Sequence, residues 1–354
     1  MKNNEKLAFF GLSDMGRQRT NNEDAFVAEQ LDENTVLAVA IDGVGGYEGG
    51  EVAAAIAQTE IPRYLHDFRN GERIELLKQA VVAANNAIVE RRQIDTERAN
   101  MSCVLTSALI DTQRKVVDMV HVGDTRMYQL HHGELRKLSH DHSLIGYREE
   151  VGDLTEEQAM HHPQRNVISR DVGSAKHEVD DRDFLETEEF PLMPNSTFLL
   201  CSDGLTDLVT SQQIISILEQ NKSLEEKAQE LINAANEAGG KDNVTVVLVE
   251  YQAEEIVDSR IKVEPTPSPA VEKVTEEVLP QQEKSVPKKC SKRLLPILLI
   301  IIVILLGVCI ALGWYSKKSS TRVKKQESYV DSLQHRIDSL ENNRVDTLDL
   351  AENK

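Results

Sequence analysis

From Leu294 to Tyr315 the chain runs 22 residues without one charged side chain, built largely of Ile, Leu and Val. At about 1.5 Å per residue a helix of that length reaches about 33 Å, enough for a hydrocarbon core of about 30 Å. Such a segment is expected to leave the globular part and cross a bilayer, with Trp314 and Tyr315 in the interfacial aromatic belt. It divides the 354 residues into four expected parts. These are a globular domain over 1–252, a Pro-, Glu- and Lys-rich linker over 253–293, the transmembrane helix over 294–315 and a tail over 316–354. In the tail, Val330, Leu333, Ile337 and Leu340 hold heptad spacing for about two heptads, which predicts a short amphipathic helix rather than a stable coiled coil.

The opening Met1-Lys2-Asn3-Asn4-Glu5-Lys6 lacks the apolar centre of a signal peptide, so the globular domain is expected in the cytoplasm and the tail outside. Basic residues flank both ends of the span, Lys292 and Arg293 before it and Lys317 and Lys318 after it, so charge alone does not orient it. The formal net charge of -19, with no dense basic run in the globular part, argues against nucleic acid as a partner. Cys103, Cys201, Cys290 and Cys309 are too scattered for a disulfide scaffold or a Cys-rich zinc site. Neither Cys103 nor Cys201 opens a phosphate loop closed by arginine, which excludes a thiolate nucleophile of the tyrosine-phosphatase kind.

Apolar runs with strand character occur at Phe26–Glu29, Val36–Ile41, Leu105–Ile110, Val116–Val122, Arg126–Leu130, Thr197–Cys201 and Val244–Tyr251. Helical spacing runs from Glu51 to Phe68, from Ile74 to Ile94 and from Leu224 to Ala238, the last opened by a Ser223/Glu226 capping box. The strands cluster instead of alternating with helices, so the predicted class is α+β, with sheets covered by helices.

Three of these strands end in an aspartate beside a glycine: Asp42-Gly43, Gly123-Asp124 and Asp203-Gly204. Asp242 precedes the strand from Val244, and Glu23-Asp24 precedes the strand at Phe26. One Asp-Gly pair is ordinarily a turn, but repeated placement at strand ends brings carboxylates to one rim, where they repel unless cations neutralise them. An all-oxygen donor set points to Mg²⁺ or Mn²⁺ rather than Zn²⁺. His131-His132, His161-His162, and His140 with His142 lack zinc-site spacing and read as surface or loop histidines. The glycine-rich run from Gly43 to Gly50 has no Gly-Lys-Ser/Thr ending, which speaks against a nucleotide cofactor.

The run from Ser13 to Ala25, SDMGRQRTNNEDA, closely resembles the opening motif of the PPM, or type 2C, metal-dependent protein phosphatases. Asp42-Gly43-Val44-Gly45-Gly46, Val122-Gly123-Asp124-Thr125-Arg126, Ser202-Asp203-Gly204-Leu205 and Lys241-Asp242-Asn243-Val244-Thr245 follow in the family's order. The segment from Asp141 to Ile168 is similar to the family's flap, and the resemblance covers about residues 7–252. It implies a four-layer β-sandwich flanked by helices and hydrolysis of phosphoserine and phosphothreonine on proteins by a hydroxide bridging two cations, Mn²⁺ or Mg²⁺. Asp42 would bridge them, Gly43 would offer its carbonyl, Asp203 and Asp242 would complete one shell, and Glu23 and Asp24 would act through waters. Asp124 and Asp203 would hold a third, weaker ion, and Arg19 would take the substrate phosphate. Phosphorylated proteins are the implied partners, and the anchor adds opposition to membrane-associated Ser/Thr kinases. At Val44 some members carry a histidine that protonates the leaving group, which valine cannot do. The competing readings are a phosphoprotein-binding or scaffold module of the same fold and a hydrolase of small phosphoesters. Retention of Arg19, Asp24, Asp42, Asp203 and Asp242 together argues against the inactive module.

Overall fold

The computed structural model describes residues 5–45 and 49–253, so the expected linker, transmembrane helix and tail lie outside the described residues. Among the described residues no helix is long and apolar enough to cross a membrane.

Among the described residues, ten strands form two antiparallel five-stranded sheets. The first sheet orders β1 (Lys6–Asp14), β10 (Val244–Gln252), β9 (Ser196–Cys201), β6 (Arg126–His131) and β7 (Glu134–Lys137). The second orders β2 (Ala25–Asp32), β3 (Thr35–Val44), β4 (Ser102–Asp111), β5 (Val116–Val122) and β8 (Glu186–Pro191). Helices α1 (Gly49–Asp67) and α2 (Arg73–Ile94) cover the second sheet, while α6 (Ser211–Leu218) and α7 (Leu224–Glu237) cover the first. Three short helices, α3 (Leu144–Glu150), α4 (Glu156–Met160) and α5 (Asp203–Thr206), flank the strand ends.

Alternation along the strands explains the layering, because successive side chains point to opposite faces. In β3, Val36, Ala38 and Ala40 join Phe198, Leu200, Val247 and Val249 between the sheets. Leu37, Val39 and Ile41 face the other way, packing with Ala57 and Ile61 of α1 and Leu77 and Ile88 of α2. In β10, Val247, Val249 and Tyr251 are inward while Val246 and Leu248 meet Leu231 and Ile232 of α7. Strands buried on both faces read as unbroken apolar runs, as β3 does from Val36 to Ile41 and β10 from Val246 to Val249. Asp42 continues the even register of 36, 38 and 40, so its carboxylate belongs to the inter-sheet side where the apolar filling stops.

Candidate metal centre

The acidic positions predicted at strand ends stand at one end of the sandwich. Asp42 lies inside β3 near its end, Asp124 two residues past β5, and Asp203 opens α5 two residues past β9. Asp242 stands two residues before β10, and Glu23 and Asp24 directly precede β2. Their mutual fields show the convergence. The Asp42 carboxyl is held well above the usual carboxylate range, first by burial and then by Asp24, Asp203, Asp124 and Asp242. Asp203 is likewise raised, first by burial and then by Asp124, Asp207, Asp242 and Asp24. Burial pushes Asp24 up to about 7 against hydrogen bonds from Thr245 and Ser202, and Ser202 Oγ donates to Asp24 Oδ2 at 2.7 Å. Asp124 reaches about 7, chiefly by burial with Asp141 adding to it and Arg126 opposing. Burial also raises Glu23, opposed by Arg19.

Local structure fixes this rim. A Cβ on Gly43 would stand 2.4 Å from the carbonyl oxygens of both Glu23 and Gly50, so only glycine lets α1 begin against the end of β3. Buried Asn243 organises the loop between β1 and β2: its Oδ1 accepts from the Glu23 amide at 2.8 Å. Its Nδ2 donates to the carbonyls of Met15 and Asn21, each at 2.9 Å. Arg19 projects from that loop with its side chain 47% exposed, and its Nη2 donates to Asp242 Oδ2 at 2.7 Å. The arginine expected to take phosphate thus stands directly on the rim, and its charge is reinforced first by that hydrogen bond. Val44 is 37% exposed at the end of β3 and carries no proton to give.

Several residues of this region had no role in the sequence reading. Ser202, Thr245 and Asn243 belong to the quoted motifs without an assigned role, and in the structure they hold the acidic residues by hydrogen bonds: Ser202 Oγ donates to Asp24 and accepts from the Thr245 amide, and Asn243 Oδ1 accepts from the Glu23 amide. Asp207, one helical turn past Asp203, is raised by burial and paired with Arg165 Nε. A cavity beside the rim is lined by Asp124, Asp203, Asp207, Arg126 and Arg165. The i, i+4 spacing of Asp203 and Asp207 was the available signal.

His142 lies in the loop between β7 and α3, as read, but its side chain is only 10% exposed, and His121 of β5 is fully buried. Together with Glu186 they place ligand-type atoms within 4.8 Å of one another. This triad is poorly suited to a cation. Both His121 nitrogens are engaged, with Thr106 Oγ1 at 2.8 Å and the Gly123 carbonyl at 3.0 Å, and Arg170 Nη1 lies 3.3 Å from His142 Nε2.

The protein phosphatase 2C family matches residues 15–248. The chain belongs to the protein phosphatase 2C family. By that membership it is a metal-dependent protein phosphatase. Among its relatives is the serine/threonine phosphatase Stp of Listeria monocytogenes, 35% identical over 247 residues that span 67% of this chain and 93% of Stp. The solved Streptococcus agalactiae serine/threonine phosphatase aligns with TM-score 0.62 and 29% identity, covering 70% of this chain and 100% of its own. The catalytic domain of the phosphatase PstP, solved in complex with 2 manganese ions, aligns with TM-score 0.61 and 30% identity over 70% of this chain and 99% of its own. These two solved serine/threonine phosphatases share the fold described above.

Proposed function

We propose that the chain hydrolyses phosphoserine and phosphothreonine on proteins with the aid of two divalent cations. The observation that carries this reading is the gathering of buried carboxyl groups at one rim, where burial and then Asp24, Asp203 and Asp124 raise Asp42, and burial and then Asp124 and Asp24 raise Asp203, so that they stay ionised together only beside cations. An all-oxygen donor set fits Mn²⁺ or Mg²⁺, and the two manganese ions of the PstP structure support the same choice. Asp42 would lie between the two ions, with Gly43, Asp203, Asp242, Glu23 and Asp24 around them, and Asp124 with Asp203 would hold a weaker third. When bound, the ions supply an activated water and offset the charge on the phosphoryl oxygens. Arg19 would receive two phosphate oxygens on its planar guanidinium, oriented beforehand by Asp242. Phosphate-monoester hydrolysis requires acceleration of up to about 10²¹, whereas one general acid or base gives about 10² to 10⁴, so side chains alone fall short.

The reading is tested by measuring phosphate release from a phosphothreonine peptide and from small monoesters, each with Mn²⁺ or EDTA. Peptide turnover that EDTA abolishes is expected. Peptide binding without phosphate release would identify a phosphoprotein-binding module, and preference for small monoesters would identify a different hydrolase.

The proposal includes the anchor: residues 294–315 span the membrane and hold the catalytic domain at its cytoplasmic face, where it opposes membrane-associated Ser/Thr kinases. The uncharged apolar run supports the span, and the buried free thiols Cys103 and Cys201 suit a reducing compartment. Protease added to intact cells should trim the tail and spare the domain; loss of the domain with a protected tail would reverse the topology.

A further inference from the structure

The peptide unit that carries Asp124 into the rim is gripped from the segment that follows β7. Gly123 has φ +111°, and a Cβ there would stand 2.2 Å from Val104, the register partner of Asp42 in β4, so the turn has no slack toward the sheet. Its carbonyl accepts the His142 amide at 2.6 Å and the His121 Nε2–H at 3.0 Å. Its amide donates to His142 Nδ1 at 3.0 Å. His142 therefore meets both polar groups of Gly123, one with its backbone and one with its ring. With its lone pair committed at Nδ1, the neutral ring carries its proton at Nε2, which lies between the Glu186 carboxylate at 3.6 Å and Arg170 Nη1 at 3.3 Å, so the arginine, itself only a donor, is a neighbour there and not a hydrogen-bond partner.

The neighbouring residue grips the other side of the same turn. Asp141 accepts from Arg126 Nε at 3.0 Å and from Arg126 Nη2 at 2.7 Å, and Lys137 Nζ adds a contact at 3.0 Å. Arg126 also reaches Glu149 of α3 at 2.8 Å. The returning end of the segment closes on the same point, since the Ser169 amide and Oγ donate to the His142 carbonyl at 2.7 and 2.9 Å.

We infer that His142 is a positioning residue for Asp124, fixing the Gly123–Asp124 turn to the base of the 141–170 segment. The inference rests on the reading of Asp124 as a ligand of the weaker third cation. It predicts a defect confined to that cation, because Asp42, Asp203 and Asp242 are held by other strands. Outer partners of this kind typically change metal affinity or activity by about 10- to 100-fold when lost.

The experiment uses the full chain with His142→Leu, which removes the ring acceptor, and His142→Asn, whose amide oxygen takes the place of Nδ1. In EDTA, amide exchange of Gly123 should quicken about fivefold or more in the leucine variant and stay near wild type in the asparagine variant. With Mn²⁺, His142→Leu should need about tenfold more ion for half-maximal turnover of a phosphothreonine peptide, at unchanged peptide KM and unchanged tight binding of two Mn²⁺ by calorimetry. His142→Asn should restore the wild-type Mn²⁺ dependence. Unchanged exchange in His142→Leu, or parallel loss of tight Mn²⁺ binding, would overturn the inference. If His142→Leu does not fold, His142→Gln replaces it, because its amide lies on the Nε2 side and leaves Gly123 without its acceptor. Should Asp124→Ala leave the Mn²⁺ dependence unaltered, the reading of Asp124 fails, while the exchange result still decides whether His142 holds the turn.

Discussion

Asp42 is the residue on which the account turns, since its carboxyl feels four neighbouring aspartates as well as burial. Replacing Asp42 by Asn should lower turnover of a phosphothreonine peptide by about 10³ or more, together with tight Mn²⁺ binding. The metal-free protein should respond in the opposite sense. Asp24 and Asp124 are raised to about 7 in the folded chain, above an unfolded value of about 3.9. Each therefore contributes stability that is complete below about pH 4 and is lost as pH rises through about 7. In EDTA the wild type should melt several degrees lower at about pH 8 than Asp42→Asn, with the gap closing towards about pH 5. A wild type that melts higher than the variant at the upper pH would contradict the repulsion. Asp124→Ala should differ in kind, keeping two tight Mn²⁺ by calorimetry while turnover falls by about 10². Loss of both tight ions in that variant would remove Asp124 from its assigned place.

At the scale of elements, the loop from Met15 to Asp24 depends on Asn243, which joins it to the start of β10 through three hydrogen bonds. Asn243→Ala leaves buried partners unsatisfied and should cost about 3 kcal/mol in denaturant melts, with a higher peptide KM because Arg19 is carried by that loop. An unchanged KM would show that Arg19 is placed without it. The strands buried on both faces were legible as apolar runs, and α7 begins with the Ser223/Glu226 capping box read from its spacing. Three strands escaped. β7 and β8 are edges of their sheets, with sequences ELRK and ETEEFP, and edge strands carry charge instead of an apolar pattern. β1 is also an edge, paired along its whole length with β10, and its KLAFFGLSD lacks a clean alternation. At the rim, the carboxylates stood out because each adjoins a strand end. His121, His142 and Asn243 did not, because their importance lies in partners remote along the chain, such as Gly123 and Glu23.

At the scale of the molecule, the three hydrophobic clusters found among the described residues join both sheets to their flanking helices, and a fragment of residues 1–253 should fold cooperatively. Its peptide turnover should stay within about twofold of the full chain, since the site residues named here run from Arg19 to Asp242. A fragment that aggregates or is inactive would mean that the later segments complete the domain. The helix-flanked sandwich matters functionally because it ends β3, β5, β9 and β10 around one rim, so carboxylates from distant parts of the sequence are forced together. Their repulsion is balanced by cations, and those cations supply the chemistry that the side chains lack. The most direct measurement is phosphate release from a phosphothreonine peptide while Mn²⁺ is titrated into EDTA-stripped wild type and Asp42→Asn. Wild-type turnover should rise from background to saturation with added Mn²⁺ while Asp42→Asn stays near background; turnover without metal, or a wild-type-like curve from Asp42→Asn, would contradict the account.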